Sequence, residues 1–90
     1  MKRSWHVYII SCSDDTLYTG ITNDLARRIK EHNDGIGSKY TRPRRPVQLV
    51  YMEGRDSRSA AARREAAIKG LTRQEKIKLC AKAVTTISSE

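Results

Sequence analysis

Two runs of β-branched and aromatic residues stand close together near the start of the chain, residues 5–12 and 17–21, with Ser13-Asp14-Asp15-Thr16 between them. Such residues suit a pleated strand and the intervening stretch has turn composition, so the chain is expected to double back as a β-hairpin. Strand residues alternate between faces, so Tyr8 shares a face with Ile10 and Cys12, and Tyr18 with Gly20. A three-residue turn sets Ile10 opposite Tyr18 and Gly20 opposite Tyr8, with both phenols on one face; a two-residue loop sends them to opposite faces. Gly20 leaves space beside Tyr8 where a phosphate can approach closely. Two amphipathic tyrosines capping a small core are the plainer reading of the same pair.

Thr22-Asn23-Asp24 then offers a helix N-cap with an acidic first turn, and a helix is expected from Leu25 through His32 until Asn33-Asp34-Gly35 ends it. Residues 35–46 carry two glycines, two prolines and several basic side chains and read as a long loop. Val47-Gln48-Leu49-Val50-Tyr51-Met52 restores a strand pattern. From Ser57 the chain is an Ala-rich helix to Lys69, with Gly70 at the C′ position, and Thr72-Arg73-Gln74-Glu75 has the form of a capping box that opens a third helix through about Ala83. The order is ββαβαα, an α+β domain over residues 1–84, with a frayed polar tail at 85–90.

Ninety residues support one small domain, so any chemistry shares the single core and no separate cofactor domain is expected. With 38% hydrophobic residues and no membrane-length apolar run, the chain reads as globular, with no membrane partner. Its Met1-Lys2-Arg3 start is unlike a secretory signal, which points to the cytoplasm. Cys12 and Cys80 lie far apart and read as free thiols, and His6 and His32 complete no metal-ligand pattern with them. The formal charge of +8 is the sign expected of a nucleic-acid binder.

Two helices place a polar residue toward the core. On the first, Leu25, Ile29 and His32 form one stripe with Arg28 at its edge, while Arg27 lies on the opposite side and can pair with Glu31 at i, i+4. Arg28 either runs its stem along the core with the guanidinium in water or turns inward to a site. On the second, Ala61, Glu65 and Ile68 share a stripe. Glu65 is either salt-bridged to an arginine or a ligand for a hard divalent cation. Arg28 and Glu65, from different helices, are expected to converge with groups from the hairpin.

This set resembles the GIY-YIG nuclease superfamily over nearly the whole chain, from about Trp5 to Lys82. His6-Val7-Tyr8 stands where that family has Gly-Ile-Tyr, and Tyr18-Thr19-Gly20 where it has Tyr-Ile-Gly. The helix carrying Arg28 and His32 is similar to the family's arginine helix, and Glu65 in Arg63-Arg64-Glu65-Ala66 to its metal-binding glutamate. His6 and Thr19 depart from the literal motif but flank the tyrosines without replacing them. The closest likeness is to the small stand-alone bacterial members, which implies a small three-stranded antiparallel sheet flanked by helices and no appended DNA-binding domain.

By resemblance the reaction is hydrolysis of a DNA phosphodiester, RNA not being excluded. The resemblance assigns Glu65 to one Mg²⁺ or Mn²⁺ ion, Arg28 to the charge on the phosphate, and Tyr8 to the attacking water as a phenolate whose pKa neighbouring cations lower. It assigns Tyr18 to water or phosphate, and His32 to orienting a tyrosine or relaying a proton. Lys39 matches a basic loop position, and Arg42, Arg44 and Arg45 with Tyr40 among them suit backbone contact and base stacking, the alternative being a solvated, disordered loop. No residue points to base-specific readout, so the target is expected to be a DNA structure or lesion, in repair or recombination, with a protein partner able to position it. A nucleic-acid-binding module with little turnover, and a small basic protein stabilised by a Glu65 to Arg28 salt bridge, are the competing readings.

Overall fold

The computed structural model describes residues 4–88, with side chains described up to residue 81. The elements follow the order β1 (Trp5–Ser11), β2 (Leu17–Thr22), α1 (Leu25–Asn33), β3 (Gln48–Arg55), α2 (Arg58–Lys69) and α3 (Arg73–Ser88), with a 3₁₀ turn at Arg42–Arg44 inside the long loop. The three strands form one antiparallel sheet with β1 in the centre, between β2 and β3.

The hairpin turns in the way that places both phenols on one face. Tyr8 lies opposite Gly20 and Ile10 opposite Tyr18. Cys12 and Thr16 close the loop with Cys12 N–H donating to Thr16 O at 2.9 Å, and Asp15 takes φ +67°. A turn of this length with its last residue in the left-handed region matches the right-handed twist of the strands it joins.

The central strand is buried at Val7, Tyr8, Ile9 and Ile10 because helices cover the sheet on both sides. Val7 and Ile9 pack with Ala61 and Ile68 of α2, and with Leu79 and Cys80 of α3. On the opposite face Tyr8, Ile10, Cys12 and Val47 pack with Tyr18, Leu25, Ile29 and Leu49. A register shift between Ile9 and Ile10 leaves Ile9 paired with Tyr51 and Ile10 with Leu49, so Val50 is the extra residue of a bulge. Val50 and Tyr51 thereby both join the α2 and α3 side, while Leu49 joins Tyr8.

Several boundaries differ from the sequence reading. Strand β3 runs to Arg55 instead of stopping at Met52, because the Glu53 carboxylate is matched by a tertiary partner, Arg64 Nε of α2 at 2.9 and 3.1 Å, together with its strand neighbours Tyr51 and Arg55. Asp24 alone caps α1, accepting from Arg27 N–H at 3.1 Å, and no acidic residue lies in the first turn proper. Gly70 is the C-cap of α2 at φ −77°, a right-handed conformation, so it does not occupy the left-handed C′ position. The capping box of α3 is reciprocal, Thr72 N–H to Glu75 Oε1 at 2.8 Å and Glu75 N–H to Thr72 Oγ1 at 3.1 Å. That helix extends to Ser88, past the end near Ala83 suggested by the sequence, and residues 89–90 of the expected tail lie outside the described residues.

Candidate active site

The sheet face carrying Tyr8 and Tyr18 is closed by α1 and by the loop that follows it. His32, one turn after Arg28, is completely buried and sits at the centre. Its Nε2 lies 2.9 Å from the Tyr8 hydroxyl and its Nδ1 2.8 Å from Thr41 Oγ1. Its ring meets Tyr8 and Tyr18 edge-on, with centroids 5.9 and 5.3 Å away. Gly20 makes this packing possible: a Cβ there would lie 2.5 Å from the Tyr8 hydroxyl, so the backbone of β2 has to stay bare for the phenol to lie across it.

Arg28 turns inward at its tip. One guanidinium nitrogen donates to Gly37 O at 2.8 Å and the other to Glu31 Oε1 at 3.0 Å, and the group adjoins the Tyr8 phenol. Glu31 also pairs with Arg27 on the solvent side at 3.8 Å, as the helical spacing predicts. Burial pushes the Tyr8 pKa up, and the Arg28 charge offsets this only in part. This corrects the expectation of a phenol made acidic by its cations: at the residue itself, loss of water outweighs the neighbouring charge. His32 is driven the other way, its pKa lowered first by burial and then by Arg28, against a weaker pull from Glu31. Both side chains are therefore neutral near pH 7.

Glu65 is half-buried on α2, with 23% of its side chain exposed, and its charge reaches the Tyr8 phenol. Its ion-pair partner is Lys69, one turn on at 3.2 Å. Arg28 pairs with Glu31 instead, so a Glu65 to Arg28 salt bridge does not hold this fold together. Among the described residues no three His, Cys, Asp or Glu side chains gather into a closed metal cage. One half-buried carboxylate nevertheless fits a small hard cation that keeps several waters and takes further oxygens from a phosphate.

The long loop is ordered by its own arginines. Arg42 Nε donates to Gly35 O at 3.0 Å, Arg45 Nε to Arg42 O at 2.7 Å, and Arg44 to Tyr40 O at 2.7 Å. Arg44 also pairs with Asp14 of the hairpin turn at 3.1 Å, and its guanidinium lies 4.1 Å from the Tyr40 ring centroid. Tyr40 in turn stacks on Tyr18 at 5.8 Å, so a layered series of Arg44, Tyr40 and Tyr18 leads from the loop to His32. Lys39, the residue before Tyr40, is exposed. At the far end Asn33 clamps Val47, the residue just before β3, accepting from its N–H at 2.7 Å and donating to its carbonyl at 3.2 Å.

Tyr8, Tyr18, Arg28 and His32 thus come together, with Glu65 at the margin and the basic loop leading in. Sequence reasoning missed Thr41, Ser38 and Asn33. Thr41 is completely buried and Ser38 Oγ lies 3.0 Å from its hydroxyl. The Ser38-x-x-Thr41 spacing, which forms a local hydroxyl turn, was the available signal.

Residues 4–78, the span that holds both tyrosines, the inward arginine and the buried histidine, match the model of the GIY-YIG catalytic domain. The chain belongs to the GIY-YIG family. It is 58% identical over 79 residues to a UPF0213 protein of Haloquadratum walsbyi, covering 88% of this chain and 89% of that one. It is 53% identical over 74 residues to a UPF0213 protein of Staphylococcus saprophyticus, covering 82% and 90%. Two solution NMR structures are similar. One, a UPF0213 protein from Bacillus halodurans, is 44% identical with a TM-score of 0.56 and covers 86% of this chain and 82% of that one. The other, from E. faecalis, is 38% identical with a TM-score of 0.59 and covers 99% and 91%. The ββαβαα order of this chain is that of its own described residues, and the two solution structures resemble its fold at these TM-scores. No helix among the described residues is long and apolar enough to cross a membrane.

Proposed function

We propose that this GIY-YIG domain is a divalent-metal-dependent endonuclease that hydrolyses DNA phosphodiesters in the cytoplasm, selecting a DNA structure or lesion in repair or recombination. The observation that carries the reading is the buried Tyr8–His32 hydrogen bond beside the Arg28 guanidinium. Because Tyr8 is neutral, it serves as a relay: its hydroxyl oxygen takes a proton from the attacking water while its own proton passes to His32 Nε2. No free phenolate is needed. Arg28, permanently charged, faces the non-bridging oxygens as negative charge builds there. Tyr18 positions water or phosphate. Glu65 would hold a single Mg²⁺ or Mn²⁺, which when bound supplies Lewis-acid stabilisation of the phosphate and of the departing 3′ oxygen.

The duplex backbone or a displaced strand lies along Lys39, Arg42, Arg44 and Arg45, with Tyr40 offering a face for stacking. Those contacts position without reading sequence, which supports a structural target and leaves selection to a partner protein. A second reading, a DNA-binding module with little or no turnover, is favoured by the complete burial of Tyr8.

A nicking and cleavage assay separates the two. Duplex, flap, branched and single-stranded DNA, with RNA alongside, are incubated with wild type and Glu65→Ala, with and without Mg²⁺ or Mn²⁺. The nuclease reading expects metal-dependent cleavage by wild type, its loss in Glu65→Ala, and nearly unchanged binding at low salt. Binding without cleavage on every substrate selects the module.

A further inference from the structure

We propose that Thr41 is a positioning residue whose hydroxyl accepts the Nδ1 proton of His32 and so keeps the imidazole in the tautomer with Nε2 open to Tyr8. The inference rests on the reading of Tyr8 and His32 as a proton relay, and adds what sets the direction of that relay.

The direction follows from the Tyr8 end. The phenol is completely buried, and beside it stand His32 and Arg28. A guanidinium has donors only, so it cannot take the hydroxyl proton. The acceptor is His32 Nε2, at 2.9 Å. A neutral imidazole accepting at Nε2 carries its proton on Nδ1. That nitrogen faces Thr41 Oγ1 at 2.8 Å, and Thr41 is likewise completely buried. The chain of donors can continue because Thr41 has acceptors on its other side: Ser38 Oγ at 3.0 Å and Ser38 O at 3.4 Å. Thr41 is itself held in place, its N–H donating to Ser38 Oγ at 3.1 Å. Gly37 lies against the His32 ring where any Cβ would collide with it, so at that position the loop meets the imidazole with bare backbone.

When the attacking water loses its proton to Tyr8 Oη, the O–H bond of Tyr8 breaks and an N–H bond forms at Nε2. His32 becomes an imidazolium that keeps its Nδ1–H on Thr41. Product release lets the extra proton return through Tyr8 to water. With the other tautomer Nε2 already holds a proton, and the relay has no vacancy at its end.

Nitrogen-15 NMR of uniformly labelled full-length protein at neutral pH reads the tautomer directly through long-range couplings to the ring protons of His32. Wild type is expected to show a protonated Nδ1 and a bare Nε2, and Thr41→Ser the same. Thr41→Val keeps the shape, removes the acceptor, and should move His32 to a mixed or reversed pattern. In the cleavage assay Thr41→Val should lower kcat by about 10- to 100-fold, with KM for DNA within about twofold and Thr41→Ser restoring the rate. A protonated Nε2 in wild type overturns the proposal, and needs no variant to fold. An unchanged tautomer in Thr41→Val does so as well. If no DNA is cleaved while the nitrogen pattern is as expected, the nuclease reading fails and the tautomer assignment stands.

Discussion

Tyr8 lies across Gly20 with no room to spare, and His32 is pinned between a phenol and a threonine, so single atoms decide what this site can do. Gly20→Ala adds a methyl 2.5 Å from the Tyr8 hydroxyl. The buried phenol has nowhere to go, and a loss of about 1–3 kcal/mol is expected, read from the urea midpoint. Tyr8→Phe keeps the ring but leaves Nε2 unpartnered; it should cost about 1–3 kcal/mol and abolish any cleavage. His32 links stability to pH. Its folded pKa is below the ordinary value of 6.5, so the unfolded chain binds the proton more readily. Stability from this residue is complete above pH 6.5 and is lost as the pH falls below it. The urea midpoint of wild type should therefore drop between pH 7.5 and 5, and its advantage over His32→Gln should shrink over the same range. The tyrosines, Arg28 and His32 were legible because strand alternation and helical spacing aim them at one place. Thr41 was not: between Tyr40 and Arg42 it looks like a solvated loop residue, and only the tertiary fold shows that the loop turns it inward. Sequence reasoning gave Glu65 an arginine or a cation as partner and missed Lys69, for which the i, i+4 spacing was the available signal.

At the scale of elements, local chemistry accounts for most ends and three-dimensional contacts for the exceptions. The hairpin needs a left-handed residue at Asp15, φ +67°, a conformation that aspartate tolerates and glycine prefers. Asp15→Gly should hold or raise stability by up to about 1 kcal/mol, whereas Asp15→Val should lower it by about 1–2 kcal/mol, both by denaturant titration. The start of α3 was readable in full from Thr72 and Glu75. Thr72→Ala is expected to cost about 1 kcal/mol in the same measurement. Strand β3 outran its apolar pattern because Glu53, polar in sequence, is matched by Arg64 of α2. Nothing within the strand announces a partner eleven positions away. The bulge at Val50 was equally hidden, since it is a consequence of two faces competing for adjacent apolar side chains.

Taken whole, the molecule is a sheet with a buried central strand whose one face serves the core under α2 and α3 and whose other face serves the site. Its charge of +8 acts at the same scale. DNA binding should weaken steeply with salt, and Lys39→Ala should reduce the slope of log Kobs against log salt by about 0.9, the value for one lost phosphate contact. An unchanged slope would place Lys39 away from the backbone. The charge was plain in the sequence; its distribution between Asp14, loop carbonyls and open surface was not, because it depends on how residues 35–46 fold back on α1 and the hairpin. That folding back has a thermodynamic meaning. Arg42, Arg44 and Arg45 each spend a guanidinium nitrogen on a main-chain carbonyl of their own loop. Their rotamer freedom is surrendered when the domain folds, so a phosphate arriving later does not have to extract the roughly 0.5–1.5 kcal/mol per side chain that immobilisation costs at an interface. A loop ordered in this way would meet a polyanion as a rigid template, and titration calorimetry of the proposed DNA binding should register that as a small entropic penalty.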